Sequence, residues 1–103
     1  MTHAYQELRQ LGLSKLAIEC YLCLYDNGPL LASQMAVNIG RPGMGMHRVL
    51  HRLVVYGFVE STKTKLGPTY FSGLPLTHAL VSYHLYQRNL LKNLLIVQAD
   101  GKR

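Results

Sequence analysis

Apolar residues recur three and four positions apart over most of the chain, the period of helices with one buried face. Ala4, Tyr5, Leu8 and Leu11 form the first stripe and predict a helix over Ala4–Leu11 that Gly12 closes. Ser14, whose hydroxyl can satisfy a free N–H at a helix start, opens a second helix running to about Asn27. Its inward face is Leu16, Ala17, Cys20, Tyr21 and Leu24. Gly28-Pro29 stops it, because glycine accepts the left-handed backbone after a helix and proline cannot continue one. Leu30-Leu31 leaves room for no more than a scrap of strand. A third helix, about Ala32–Ile39, turns Met35, Ala36 and Ile39 inward and ends at Gly40. A fourth restarts at Pro42, a residue suited to a first helical turn, and runs to about Tyr56 with Met46, Val49, Leu50 and Leu53 buried.

After Gly57 the texture changes. Phe58–Lys63 and Thr69–Ser72 are rich in β-branched and aromatic residues and flank the turn signal Thr64-Lys65-Leu66-Gly67-Pro68. That pattern predicts a β-hairpin. The two helices separated by Gly40-Arg41 form a helix-turn-helix candidate. Three helices followed by a hairpin give a winged helix, so the fold class is mainly α with one small β-hairpin.

Pro75 begins a last helix, to about Ala99. Leu76, Leu80, Tyr83, Gln87, Leu90, Leu94 and Val97 follow a 4-3 spacing, with Leu91 and Leu95 widening the stripe. A helix added after a finished small domain has too little core of its own to pack against. Its apolar face is therefore expected to pair two copies, with Gln87 either fixing register or sitting at the edge of the seam. The chain divides into a winged-helix domain over residues 1–74 and a dimerisation helix over residues 75–103.

Composition supports one domain with a covered apolar face. The 103 residues are 49% hydrophobic and only 16% charged, against about 25% charged in an average soluble domain. This excludes a disordered chain, which would be polar and charge-rich. The net charge of +6 favours an anionic partner without choosing among nucleic acid, membrane and acidic protein. Its distribution narrows the choice. Residues 1–40 hold Arg9 and Lys15 against Glu7, Glu19 and Asp26, a net −1. Residues 41–65 hold Arg41, Arg48, Arg52, Lys63 and Lys65 against Glu60, a net +4. Residues 66–103 carry the remaining +3. The largest excess thus falls on the second helix of the helix-turn-helix and on its hairpin, the two elements that would enter DNA.

Other chemistries find little footing. Cys20 and Cys23 are spaced C-x-x-C, but they sit mid-helix with no second pair, which suits core packing rather than redox or zinc chemistry. His47 and His51 lie one turn apart on one helix face without a converging carboxylate or cysteine, so no metal is expected. There is no Gly-rich phosphate loop, no nucleophile elbow, and only five acidic residues, so neither an enzyme nor a cofactor is expected. No run approaches the ~20 apolar residues of a membrane span, and the first residues lack the basic start and apolar core of a signal peptide. The expected location is the cytoplasm.

Leu11-Gly12-Leu13-Ser14, Tyr21-Leu22-Cys23-Leu24, Gly28-Pro29, Met35-Ala36, Ile39-Gly40, Val49-Leu50 with Leu53, and Gly57-Phe58-Val59-Glu60 occur in this order. Over roughly residues 8–75 the sequence resembles the DNA-binding domain of the TrmB-type transcriptional regulators. The resemblance implies a winged helix that binds DNA, with a coiled helix after the wing used for dimerisation. Members often continue into a sugar-binding domain; these residues end at Arg103, and no effector site is carried over to them. Where the family has polar or basic residues followed by an aromatic, this chain has Arg41-Pro42-Gly43-Met44-Gly45-Met46-His47.

Roles follow from residue chemistry. His47 and Arg48 suit base contacts, joined by Arg41 and by Met44 against a thymine methyl; His51 and Arg52 suit phosphates. Lys63 and Lys65 suit flanking phosphate or the minor groove. The expected protein is a homodimeric regulator on double-stranded DNA. The rival is a winged-helix module that has lost DNA recognition and binds another protein, favoured by the glycines and methionines around Met44. RNA or single-stranded DNA fits the basic patch but lacks a stacking platform.

Overall fold

The computed structural model describes the backbone of residues 2–101 and the side chains of residues 5–96. Five helices and one hairpin follow in the order α1 (Thr2–Gln10), α2 (Lys15–Asn27), α3 (Ala32–Asn38), α4 (His47–Tyr56), β1 (Val59–Lys63), β2 (Thr69–Gly73) and α5 (Leu76–Gly101). Ala4 and Val97, expected on apolar stripes, lie outside the described side chains.

The expected caps organise the ends. Ser14 accepts a hydrogen bond from the Ala17 N–H at 3.1 Å, and the Gly28 N–H donates to the Leu24 carbonyl at 2.9 Å. α2 buries Ala17, Ile18, Cys20, Tyr21 and Leu24, while Leu16 is only half-buried. Leu30 pairs with Phe71 as an isolated bridge, the scrap of strand that its neighbours left room for. β1 and β2 are antiparallel, with Val59 opposite Gly73, Ser61 opposite Phe71 and Lys63 opposite Thr69.

One expected boundary is wrong. The helix predicted from Pro42 starts at His47, and residues 40–46 form an irregular link. The Met44 N–H donates to the Arg41 carbonyl at 3.2 Å, and Gly43 has φ +83°. A proline then a left-handed glycine inside an i-to-i+3 hydrogen bond is type II turn chemistry, which an α-helix cannot contain. Pro42 therefore shapes a turn and not a first helical turn, and Arg41 and Met44 stand on that turn. The buried stripe is otherwise as expected, with Met46, Leu50 and Leu53 buried and Val49 half-buried.

The core joins all the helices. Tyr21 meets Phe58 edge-on with centroids 5.3 Å apart, and Phe58 meets Tyr83 at 5.3 Å. The Tyr21 hydroxyl donates to the Leu74 carbonyl at 2.6 Å, and the Tyr83 hydroxyl to the Leu11 carbonyl at 3.2 Å. Burying two phenols is tolerable because each finds an acceptor. These contacts revise the reading of α5. Ala79 and Tyr83 are buried in the chain's own core and Leu76 packs against it, so the first half of the helix has a core to meet after all. At the end of α4, Gly57 has φ +93° and approaches α5 so closely that a Cβ there would overlap Ser82. A glycine thus lets the fourth helix dock on the fifth.

Candidate nucleic-acid interface

All four α4 candidates are exposed, and His47, Arg48 and His51 share one side of the helix. With 3.6 residues per turn, His47 and His51 lie one above the other, and Arg48 lies a third of a turn round. Leu50 and Leu53 on the opposite side enter the core, so the buried stripe aims the polar one outward. Val55 continues the Arg48 stripe and is 48% exposed, an apolar member of this face that charge counting does not find. Arg52 points elsewhere: with Ser14, Ala17, Val49 and Tyr56 it lines a pocket of about 120 Å³ beside the start of α2.

The hairpin lies along the histidine side of α4. His47, His51 and Val54 face Ser61, Thr69 and Phe71 across a cleft of about 280 Å³. Strand residues two apart share a face, so Val59, Ser61 and Lys63 point the same way. Val59 is buried and Ser61 lines the cleft, which sets Lys63 on the α4 side of β1 and Glu60 on the other. The hairpin's one acid therefore stands away from the basic surface. Lys65 lies in the turn beyond Lys63, and both lysines are exposed. Ser61 and Thr69 were missed in the sequence because only the docking of hairpin on helix brings them to the cleft.

The turn candidates form a third patch. Met44, 43% exposed, lines a groove of about 290 Å³ with Ala32, Ser33, Val37, Gly43 and His47. Val37 on α3 is 65% exposed beside it. Arg41 is exposed at the start of the same turn. Arg41, Met44, His47, Arg48, His51, Arg52, Lys63 and Lys65 are thus all solvent-facing, spread over the turn, α4 and the hairpin.

Over residues 8–77 the sequence matches the family model described as the sugar-specific transcriptional regulator TrmB. The chain belongs to the TrmB family. No curated protein matches it. TrmB proteins are transcriptional regulators with a winged-helix DNA-binding domain, and the match spans that domain here, from α1 to the first turn of α5. In TrmB terms α3 and α4 are the helix-turn-helix and β1–β2 the wing.

The remaining candidate chemistries are quiet. Burial pushes the Cys20 thiol up to about 12, the opposite of an activated thiolate, and Cys23 is raised for the same reason. Among the described residues no group of three or more His, Cys, Asp or Glu could hold a metal ion, and no helix is long and apolar enough to cross a membrane.

α5 presents the other surface of interest. Of the expected seam, Leu76 and Tyr83 are engaged with the chain's own core. Leu80, Gln87, Leu90, Leu91 and Leu94 are exposed, as are Leu95 and Ile96.

Proposed function

We propose that this TrmB-family chain is a small cytoplasmic regulator that binds duplex DNA as a homodimer. α4 enters the major groove, His47 and Arg48 reach base edges, and Arg41 and Met44 approach from the turn. His51 and Arg52 hold phosphates, and Lys63 and Lys65 bring the wing onto the neighbouring backbone. Two copies pair along the exposed α5 stripe of Leu80, Gln87, Leu90, Leu91 and Leu94, with Val97 continuing the spacing. Paired heads then read half-sites about 34 Å apart.

The observation that carries this reading is the shared face of the wing and α4. Ser61 closes against the α4 histidines while Glu60 turns away, so Lys63 extends one basic surface. A gel-shift titration against random duplex at low salt tests it, with sedimentation run in parallel. Retarded complexes at sub-micromolar dimer are expected. A dimer that retards no duplex at micromolar protein would contradict the proposal. That result would leave an interaction module, the second reading, which the exposed apolar pair Val37 and Met44 favours.

A further inference from the structure

The wing ends in an apolar point. Leu66 is fully exposed, more so than any other large hydrophobic residue described, although it lies between two strands rich in polar groups. The turn that carries it is braced. The Thr64 hydroxyl donates to the Pro68 carbonyl at 3.1 Å, and the Gly67 N–H donates to the Thr64 carbonyl at 3.4 Å. A Cβ on residue 67 would strike the Thr64 hydroxyl, so glycine there leaves room for the Thr64–Pro68 hydrogen bond. Pro68 fixes its own φ and limits the turn further. Lys63 and Lys65 both precede the point, on its β1 side, and Glu60 lies at the far end of β1.

An exposed leucine held out by a stiff turn gains nothing from water and nothing from a phosphate. Just beyond two lysines, it matches a surface that pairs anionic groups with an apolar stack beside them. Duplex DNA offers this at the minor groove, where phosphates border the groove and apolar side chains wedge between stacked base pairs.

We propose that Leu66 is a minor-groove wedge: Lys63 and Lys65 hold phosphates beside it while the side chain partly unstacks one base step. The inference rests on the DNA-binding reading above. It adds to the discrimination available from the turn before α4, where Gly43 and Gly45 offer no side chain to a base. Readout at the wing is then by deformability, with flexible pyrimidine–purine steps preferred.

The test uses the whole chain with duplexes carrying 2-aminopurine at a TA or a GC step under the wing, located by hydroxyl-radical footprinting. Wild-type protein raises the 2-aminopurine fluorescence at that step and binds the TA duplex more tightly. Leu66→Ser loses both the fluorescence rise and the TA preference, weakens binding to the TA duplex about tenfold, and keeps its salt dependence and melting temperature. Leu66→Phe retains the fluorescence rise. A Leu66→Ser protein that unstacks the step as wild type does would overturn the wedge. So would a change in its sedimenting mass, which would assign the tip to contact between copies. Failure of the wild type to bind any duplex overturns the DNA reading itself, a distinguishable result.

Discussion

Tyr56, the last residue of α4, lies against Tyr83 of α5 with ring centroids 5.0 Å apart. Tyr86, one turn further along α5, meets the same ring at 5.0 Å. The helix proposed to read DNA is therefore fixed to the helix proposed to pair copies. Packed side chains of this kind have few alternative arrangements, so the separation of two α4 helices in a dimer follows from how two α5 helices meet.

Removing that junction costs stability first. Tyr83→Ala empties a buried aromatic site and is expected to lower the unfolding free energy by about 3–5 kcal/mol. Tyr83→Phe, which loses only the hydrogen bond to Leu11, costs about 1 kcal/mol. Urea denaturation distinguishes the two, and equal losses would contradict the packing argument.

Gly57 gives a sharper test of how α4 meets α5. Gly57→Ala meets both a left-handed backbone and the Ser82 side chain. The backbone alone costs about 1–2 kcal/mol. Adding Ser82→Gly should recover the steric part but not the backbone part. A double variant no more stable than the single would show that the clash is absent.

The two α4 arginines should fail differently. Arg48→Ala is expected to cost about 1–3 kcal/mol on a preferred sequence and to relax discrimination at one position. Arg52→Ala should weaken all sequences alike and reduce the salt slope by about 1. Anisotropy titrations over several duplexes and salt concentrations separate the roles, and identical behaviour would refute the assignment.

Pairing along α5 predicts a third separation. Leu91 and Leu94 are exposed in the chain, so Leu91→Lys with Leu94→Lys should leave its melting nearly unchanged. The variant should sediment as a monomer and bind a two-site duplex about a hundredfold more weakly, since the second contact is no longer intramolecular. A variant still dimeric would move the interface elsewhere.

Alkaline pH probes the core. Burial raises the Cys20 thiol from 9.0 to about 12 and the Tyr21 phenol from 10.0 to about 12. Unfolding exposes groups that ionise earlier, so it releases protons and becomes easier as pH rises. Stability is expected to hold below pH 9 and to fall from there toward 12. Cys20→Ala with Cys23→Ala, which removes both raised thiols, should move the onset to about 10, the ordinary tyrosine value. Denaturation midpoints across this range check both statements.

Much of the fold was legible in the chain because local chemistry and tertiary packing agree there. Ser14, Gly28-Pro29 and Gly57 mark ends whose hydrogen bonds are short-range, and the hairpin's β-branched runs surround a turn of Gly and Pro. The start of α4 was misread because proline has the same φ in a first helical turn and in a type II turn. The following Gly43, with its positive φ, decides between them. Tyr83 shows a different limit. The 4-3 spacing marks a face to be covered but not whether the chain's own body or a second copy covers it. The basic residues could be named from charge alone. That Ser61 and Thr69 stand opposite His47 and His51, and that Glu60 turns away, depends on how the wing docks, which periodicity does not encode.

The central claim is that α4 and the wing together form a DNA-binding surface, and the salt dependence of duplex affinity tests it most directly. Titrations of the dimer across a salt series should give a linear fall of log affinity with log salt, with a slope near −0.9 per phosphate contacted. Lys63→Ala with Lys65→Ala should make that slope shallower by about 2. Absence of binding at the lowest salt, or a slope that ignores the wing lysines, would contradict the account.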